Sequence, residues 1–475
     1  MGSSSSSELK PPADFKYFAI QISFADRLKI IAANSEVIEK TEYVLDKHWG
    51  IESFNSSLGF NEYQIKGNPF EPSETQDVDA KFFICTLIKQ YYLIGWHVKK
   101  SCDFKYHVDA GRGSDMIIFE KMNPIKTSII CISLNDTDKI RVLAPKEIWA
   151  PIRAMIDKFW PLGIEQERIL NNSFEFKLAG EPFGSTQING IESYYTAGLI
   201  NGFFSALYHL GYIYLATIDS GNRESDINAL YFRYALDEVQ EEENINRQFF
   251  AVTLNKTDRI RMVSVLPDLA SSMKSMMPKL WIHGVKKVKE SNGTIEFTLN
   301  GNPWNSRGEE SLDARELIAN LIHVLSQYDW SYYATCMISE NIDDKAALFF
   351  RYKTMKPILT TCVSLDETDK IRLISENKKL KSIIRDSIKS SWPKGIESET
   401  SYFGSYQFQL KGNPFALDGS NIEYASYMML NILHGLESNG IKMITSIDAT
   451  GKYKINEKVG SIAPVSLDTW YFGES

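Results

Sequence analysis

Four basic-apolar-basic triplets recur along the chain: Arg27-Leu28-Lys29, Lys139-Ile140-Arg141, Arg259-Ile260-Arg261 and Lys370-Ile371-Arg372. Residues two apart on a strand share a face, so each triplet sets two cations side by side. Guanidinium and ammonium groups paired in this way could hold a phosphate or a carboxylate. Arg27, Lys29, Lys139, Arg141, Arg259, Arg261, Lys370 and Arg372 are therefore the candidate anion- or partner-binding residues. Arg233 and Arg351, at the ends of later strands, are candidates to sit nearby. The competing account is a solvated sheet face neutralised by the domain's own acids.

A polar turn precedes the last three triplets: Asn135-Asp136-Thr137-Asp138, Asn255-Lys256-Thr257-Asp258 and Asp366-Glu367-Thr368-Asp369. Clustered oxygens suggest calcium, but the glycine-bearing loop and terminal glutamate of an EF-hand are missing, and Lys256 opposes a cation. Turn-forming Asx residues are the better account. In the first unit His97, Cys102, Asp103, His107 and Asp109 fall in a short span, the first place to look for enzymatic chemistry. Their spacing matches no metal or triad geometry. Only His323 and His434 occupy matching places, so a fourfold histidine role is not expected. Gly111-Arg112-Gly113-Ser114 does not open a helix and fails as a phosphate loop. Asp103, Asp219 and Asp448 follow equivalent strands, where the third unit has Ser339; hairpin capping explains them.

The elements that would position these groups are written four times. Tyr406 to Phe415 has counterparts in Tyr63 to Phe70, Phe174 to Phe183 and Ile295 to Trp304. Apolar and polar residues alternate, then a Gly-Asn-Pro-aromatic stop (Gly-Glu-Pro in the second copy) ends the strand. The stop glycines are Gly67, Gly180, Gly301 and Gly412, which suit positive φ. The period of roughly 115 residues is far longer than that of a solenoid, about 20–50. A unit of that size can bury its own core.

Each unit opens with a strand, turns into the basic triplet, and continues as an amphipathic helix ending at Trp49, Trp160, Trp281 or Trp392. Two strands, a longer helix and two further strands complete it. The expected fold class is α+β: four tandem homologous domains, each a mostly antiparallel sheet in ββαββαββ order, ferredoxin-like or related, covered by two helices. The divisions are a Ser-rich tail over 1–15, then 16–122, 123–235, 236–353 and 354–475. The third opens with an acidic linker, 237–243.

The 475 residues are 43% hydrophobic and 24% charged, the profile of a folded globular chain. The net charge of -8 argues against bulk attraction to nucleic acid or an anionic membrane. Five cysteines without a CxxC pair read as buried thiols in a reducing compartment, hence a cytoplasmic protein. The aromatics at helix ends and beside the turn prolines read as core rather than base-stacking platforms. No apolar run reaches membrane-span length. Met1-Gly2-Ser3-Ser4-Ser5-Ser6 fits N-myristoylation of Gly2, although one acyl chain without a basic patch anchors weakly.

The expected function is a non-catalytic binding or self-assembling scaffold whose repeated domains gain from multivalency, with a protein partner or self-association and no cofactor. The alternatives are a carrier for a lipid or anionic metabolite, membrane-associated through Gly2, and an enzyme with its site in one diverged repeat.

Overall fold

The computed structural model describes residues 12, 14–57, 59–103, 115–184, 192–218, 226–240, 248–291, 293–338, 346–375, 377–415, 420–448 and 466–474. The first repeat comprises β1 (Tyr17–Ser23), β2 (Arg27–Ile31), α1 (Ser35–His48), β3 (Ile51–Ser57), β4 (Phe60–Ile65), α2 (Glu74–Leu93), β5 (Trp96–Asp103) and β6 (Asp115–Lys121). The second comprises β7 (Ile129–Asn135), β8 (Lys139–Leu143), α3 (Trp149–Phe159), β9 (Ile164–Leu170), β10 (Ser173–Leu178), α4 (Glu192–His209), β11 (Tyr212–Ile218) and β12 (Asp226–Tyr234). A short helix, α5 (Leu236–Gln240), follows. The third comprises β13 (Phe249–Asn255), β14 (Arg259–Val263), α6 (Pro267–Leu280), β15 (Val285–Ser291), β16 (Thr294–Leu299), α7 (Glu309–Gln327), β17 (Trp330–Cys336) and β18 (Ala347–Tyr352). The fourth comprises β19 (Leu359–Asp366), β20 (Lys370–Ile374), α8 (Lys378–Ser391), β21 (Ile396–Tyr402), β22 (Ser405–Leu410), α9 (Ser420–Glu437), β23 (Ile441–Ile447) and β24 (Ser466–Glu474).

Each repeat is a six-stranded antiparallel sheet, in the first ordered β3-β4-β2-β1-β6-β5. The crossover from β2 through α1 to β3 straddles β4, a split βαβ unit; that from β4 through α2 to β5 straddles three strands. The α+β, ββαββαββ reading is thus the observed architecture. The acidic stretch expected to be a linker begins differently: 236–240 form α5, whose Val239 is buried in the second core because its neighbours point outward.

The repeated stop ties each unit together. Gly67, Gly180, Gly301 and Gly412 all take φ between 76° and 81°, a region that costs other residues about 1–2 kcal/mol. The chain then turns back. The amides of Phe70, Phe183, Trp304 and Phe415 donate to the carbonyls of Ala25, Thr137, Thr257 and Thr368 in the first hairpin. The indoles of Trp160, Trp281 and Trp392 donate to the carbonyls of Ala179, Asn300 and Lys411 at 2.9–3.0 Å, locking the first helix to the end of the repeated strand.

The units do not keep separate cores. The core of repeat 1 takes in Cys131, Ala216, Ile218 and Tyr231 of repeat 2. That of repeat 2 takes in Phe249, Ala251, Cys336 and Phe349 of repeat 3. Repeat 3 takes in Cys362, Ile447 and Tyr471 of repeat 4. Repeat 4 closes the circle on Tyr17, Ile31, Phe60, Cys102, Met116 and Ile118 of repeat 1. Helices cover one face of each sheet, and the preceding repeat's longer helix covers the other: α2 lies on β7, α4 on β13, α7 on β19 and α9 on β1. The inner edge strands β5, β11, β17 and β23 neighbour one another in turn. The molecule is therefore a closed, pseudo-fourfold ring of sheets. Opening the seam between repeats 4 and 1 would expose Ile31, Phe60, Met116 and Ile118 among others. At about 1.5–3 kcal/mol each, they outweigh any surface ion pair, worth about 0–1. Apolar burial closes the ring. All five cysteines are buried thiols, and four of them lie at seams.

Candidate functional site

The eight predicted cations lie on β2, β8, β14 and β20, on the sheet face that meets the preceding repeat. In each hairpin the second cation stands directly opposite an acceptor on the repeated strand: Lys29 opposite Glu62, Arg141 opposite Glu175, Arg261 opposite Glu296, Arg372 opposite Gln407. The contacts are 3.1, 2.7, 2.5 and 2.8 Å. Arg27 pairs with Glu62 at 2.6 Å and Arg259 with Glu296 at 3.3 Å. Lys139 pairs with Asp136 at 2.8 Å, and Lys370 with Glu367 at 2.5 Å.

The preceding repeat adds a group to each cluster. Asp77 on α2 accepts from Arg141 Nη1 at 2.7 Å and also pairs with Lys81. Tyr194 on α4 lies under the Arg261 guanidinium, 4.5 Å from ring centroid to carbon, and donates to Glu296. Arg315 on α7 donates to Asp366 at 2.8 Å. Glu423 on α9 accepts from Lys29 at 3.2 Å. Burial opposes charge on Asp77, but Lys81 and Arg141 hold its carboxyl below the usual range. Burial likewise opposes charge on Asp366, and Arg315 and Arg372 hold it low. Glu62 and Glu296 are held low against burial by Lys29 with Arg27 and by Arg261. The cations thus bind anions supplied by this chain.

The structure disperses the other candidates. Arg233 pairs with Glu238, and Arg351 packs on and donates to Tyr208; their strand positions lie at the opposite end from the basic pairs. Asn135 and Asp366 open their turns but are buried at the seams, where Ser133 and Ser364 donate to them. The left-handed turn residues are Asp136, Lys256 and Glu367, with φ of 51–55°. His97 stacks on Tyr92 and contacts the Asn123 carbonyl, whereas Cys102 sits in the repeat 4 core. His323 contacts the Ile358 carbonyl, and His434 packs against Phe15. Gly2, His107, Asp109, Gly111 to Ser114, Asp219, Ser339 and the Asp103 side chain lie outside the described residues. Among the described residues no three or more His, Cys, Asp or Glu side chains are grouped to hold a metal ion, and no helix is long and apolar enough to cross a membrane.

The axis holds a group that the triplet pattern did not reveal. β5, β11, β17 and β23 each carry a bulge at Val98/Lys100, Tyr214/Ala216, Tyr332/Ala334 and Met443/Thr445. Bulges re-aim the side chains that follow them. By register Lys100 occupies the place of Ala216, Ala334 and Thr445. Hydroxyls from these strands satisfy neighbouring inner edges: Ser101 donates to the Thr217 carbonyl at 2.6 Å and Thr217 to the Thr335 carbonyl at 2.7 Å. Thr445 donates to Tyr332 Oη at 2.7 Å, and Tyr332 to Thr335 at 2.7 Å. Lys100 Nζ lies 5.2 Å from the Tyr332 ring centroid. Burial, with Lys99 beside it, pushes its pKa down to about 8. The fourfold pattern concealed it, because the signal is a departure from the repeat.

No curated protein and no solved structure matches the chain. One domain-family model matches it four times, over residues 16–120, 128–233, 248–351 and 360–473. Those spans coincide with the four sheets of the ring, so the chain belongs to the family defined by that domain, present here in four copies.

Proposed function

We propose that the protein is a non-catalytic scaffold of the reducing cytoplasm that binds extended polypeptide segments, from a partner or from another copy, at its rim. The observation that carries this reading is the set of outer edge strands. β3, β9, β15 and β21 are each seven residues long and lie at the outer end of their sheets; the first three are mostly solvent-exposed, and β21 is exposed or half-buried throughout. Each leaves one row of backbone donors and acceptors open to strand addition. The groups shared by the repeats build the seams, while the rims differ: β15 carries Lys286, Lys287 and Lys289, whereas β9 carries Glu165 and Glu167. A rigid ring with four differing edges suits multivalent binding, since linked weak sites raise the effective concentration.

Hydrogen exchange read alongside native mass spectrometry at rising protein concentration, with and without a candidate partner, tests the reading. The scaffold account expects a bound or oligomeric species in which amides of 51–57, 164–170, 285–291 or 396–402 gain protection. An exchange pattern at all four rims that stays unchanged in every complex formed would overturn it.

A further inference from the structure

We propose that Lys100 anchors a binding site for a small oxyanion, a carboxylate or a phosphate, at the centre of the ring. Buried cations elsewhere have countercharges. Lys81 has Asp77, Lys99 has Glu120 and Glu437, Arg141 has Asp77 and Glu175, Arg261 has Glu296, and Arg315 has Asp366. Among the described residues Lys100 has no ion pair and no hydrogen-bond acceptor, only the Tyr332 ring face. Glu437 acts on it through space alone, its oxygens being engaged by Lys99, Tyr17 and the Met443 amide.

A half-buried ammonium with no partner loses part of its hydration without compensation, and an anion removes that cost. The ring does not need a lysine there, since two sister repeats manage with alanine and one with threonine. Lys100, Tyr214, Tyr332, Thr217 and Thr335 are all half-buried rather than sealed, although they belong to the innermost strands. Their partial exposure shows that solvent reaches these innermost strands. The three ammonium hydrogens are uncommitted, and the Thr335 hydroxyl, which accepts from Tyr332 and has only a 3.5 Å contact with Thr445 for its own hydrogen, can turn to add a donor. An ammonium with a nearby hydroxyl, bounded by aromatic and methyl groups, suits a compact anion with an apolar margin better than a cation or a nucleic acid strand. This site is independent of the rim strands, so the scaffold reading stands or falls separately.

The test uses the full chain at fixed ionic strength, with inorganic phosphate and acetate as separate probes. Thermal unfolding should show a saturable rise with at least one probe, and the responding probe distinguishes phosphate from carboxylate recognition. K100A, the residue found in repeats 2 and 3, should weaken binding by at least about tenfold, the least expected on losing a charged hydrogen bond. K100M keeps the length of the side chain and serves if K100A is poorly folded. Broadening of the phosphate ³¹P resonance, lost in K100M, is a second readout. No saturable response to either probe, or equal responses in wild type and both variants, would overturn the proposal.

Discussion

Arg315 of the third repeat donates from Nη2 to Oδ1 of Asp366 in the fourth at 2.8 Å, while Arg372, from Asp366's own sheet, reaches the other oxygen at 3.2 Å. One carboxylate thus answers two guanidiniums across a seam. Asp366→Ala removes the carboxylate that Arg372 and Arg315, which is 1% exposed, share. Breaking a buried pair from one side costs about 3–5 kcal/mol. Arg315→Met should cost less, because Arg372 still neutralises Asp366. Urea unfolding of the two variants checks the order, and equal losses would contradict it.

The seam carboxylates also set an acid limit. Asp77, Asp366, Glu62 and Glu296 have folded pKa values below their ordinary ones. The unfolded chain therefore takes up protons first as pH falls, and stability drops from about pH 4 downward. That contribution is fully present above the unfolded values and is lost as pH falls through the folded ones. Asp366→Asn should flatten the acid slope that sets in below about pH 4 in chemical denaturation.

Two glycines with nearly equal φ separate backbone strain from steric fit. Gly163 at φ 78° has nothing within 4 Å of an added Cβ, so Gly163→Ala should cost only the left-handed penalty, about 1–2 kcal/mol. Gly95 at φ 79° would set a Cβ 2.4 Å from the Met122 carbonyl oxygen. That backbone is held in place by its own bond to the turn, the Met122 amide donating to the Gly95 carbonyl at 2.7 Å. Gly95→Ala should therefore be the more destabilising of the two by thermal melting.

Much of this fold is written in the repeat. The glycine stops, the tryptophan helix ends and the strand alternation mark single units, and local rules suffice to place them. The ring is written less openly. Phe249-Phe250-Ala251-Val252-Thr253-Leu254 is buried at every position, as a strand covered on both faces must be. Tyr17 to Ile22 is similar. That continuous burial signals a second covering layer, but no local pattern says that it comes from the preceding repeat. The basic pairs were visible because they alternate; their partners Asp77, Tyr194, Arg315 and Glu423 differ in kind, so no shared motif pointed to them. Lys100 follows a bulge, where simple alternation fails.

Lys100 makes a prediction of opposite sense to the carboxylates. Its folded pKa lies near 8, below the ordinary lysine value of 10.5. Between those values the unfolded chain holds more protons than the folded one, so stability contributed by this group rises with pH from about 8 to 10.5. The charged groups acting on it are Lys99 and Glu437, with Tyr332 packed on the amine. K100A removes the rise. Denaturation curves of wild type and K100A across that range should converge toward high pH in the absence of added anion.

Closure of the ring is tested most directly by zero-length carbodiimide coupling followed by peptide mass spectrometry of the monomer. Lys139 and Glu74, 3.3 Å apart across the seam between repeats 1 and 2, serve as a control. The ring predicts intramolecular Lys29–Glu423 and Lys99–Glu437 crosslinks as well, from contacts of 3.2 and 2.8 Å between the two ends of the chain. A monomer that yields Lys139–Glu74 but neither of the other two would contradict a closed ring and leave four repeats in an open row.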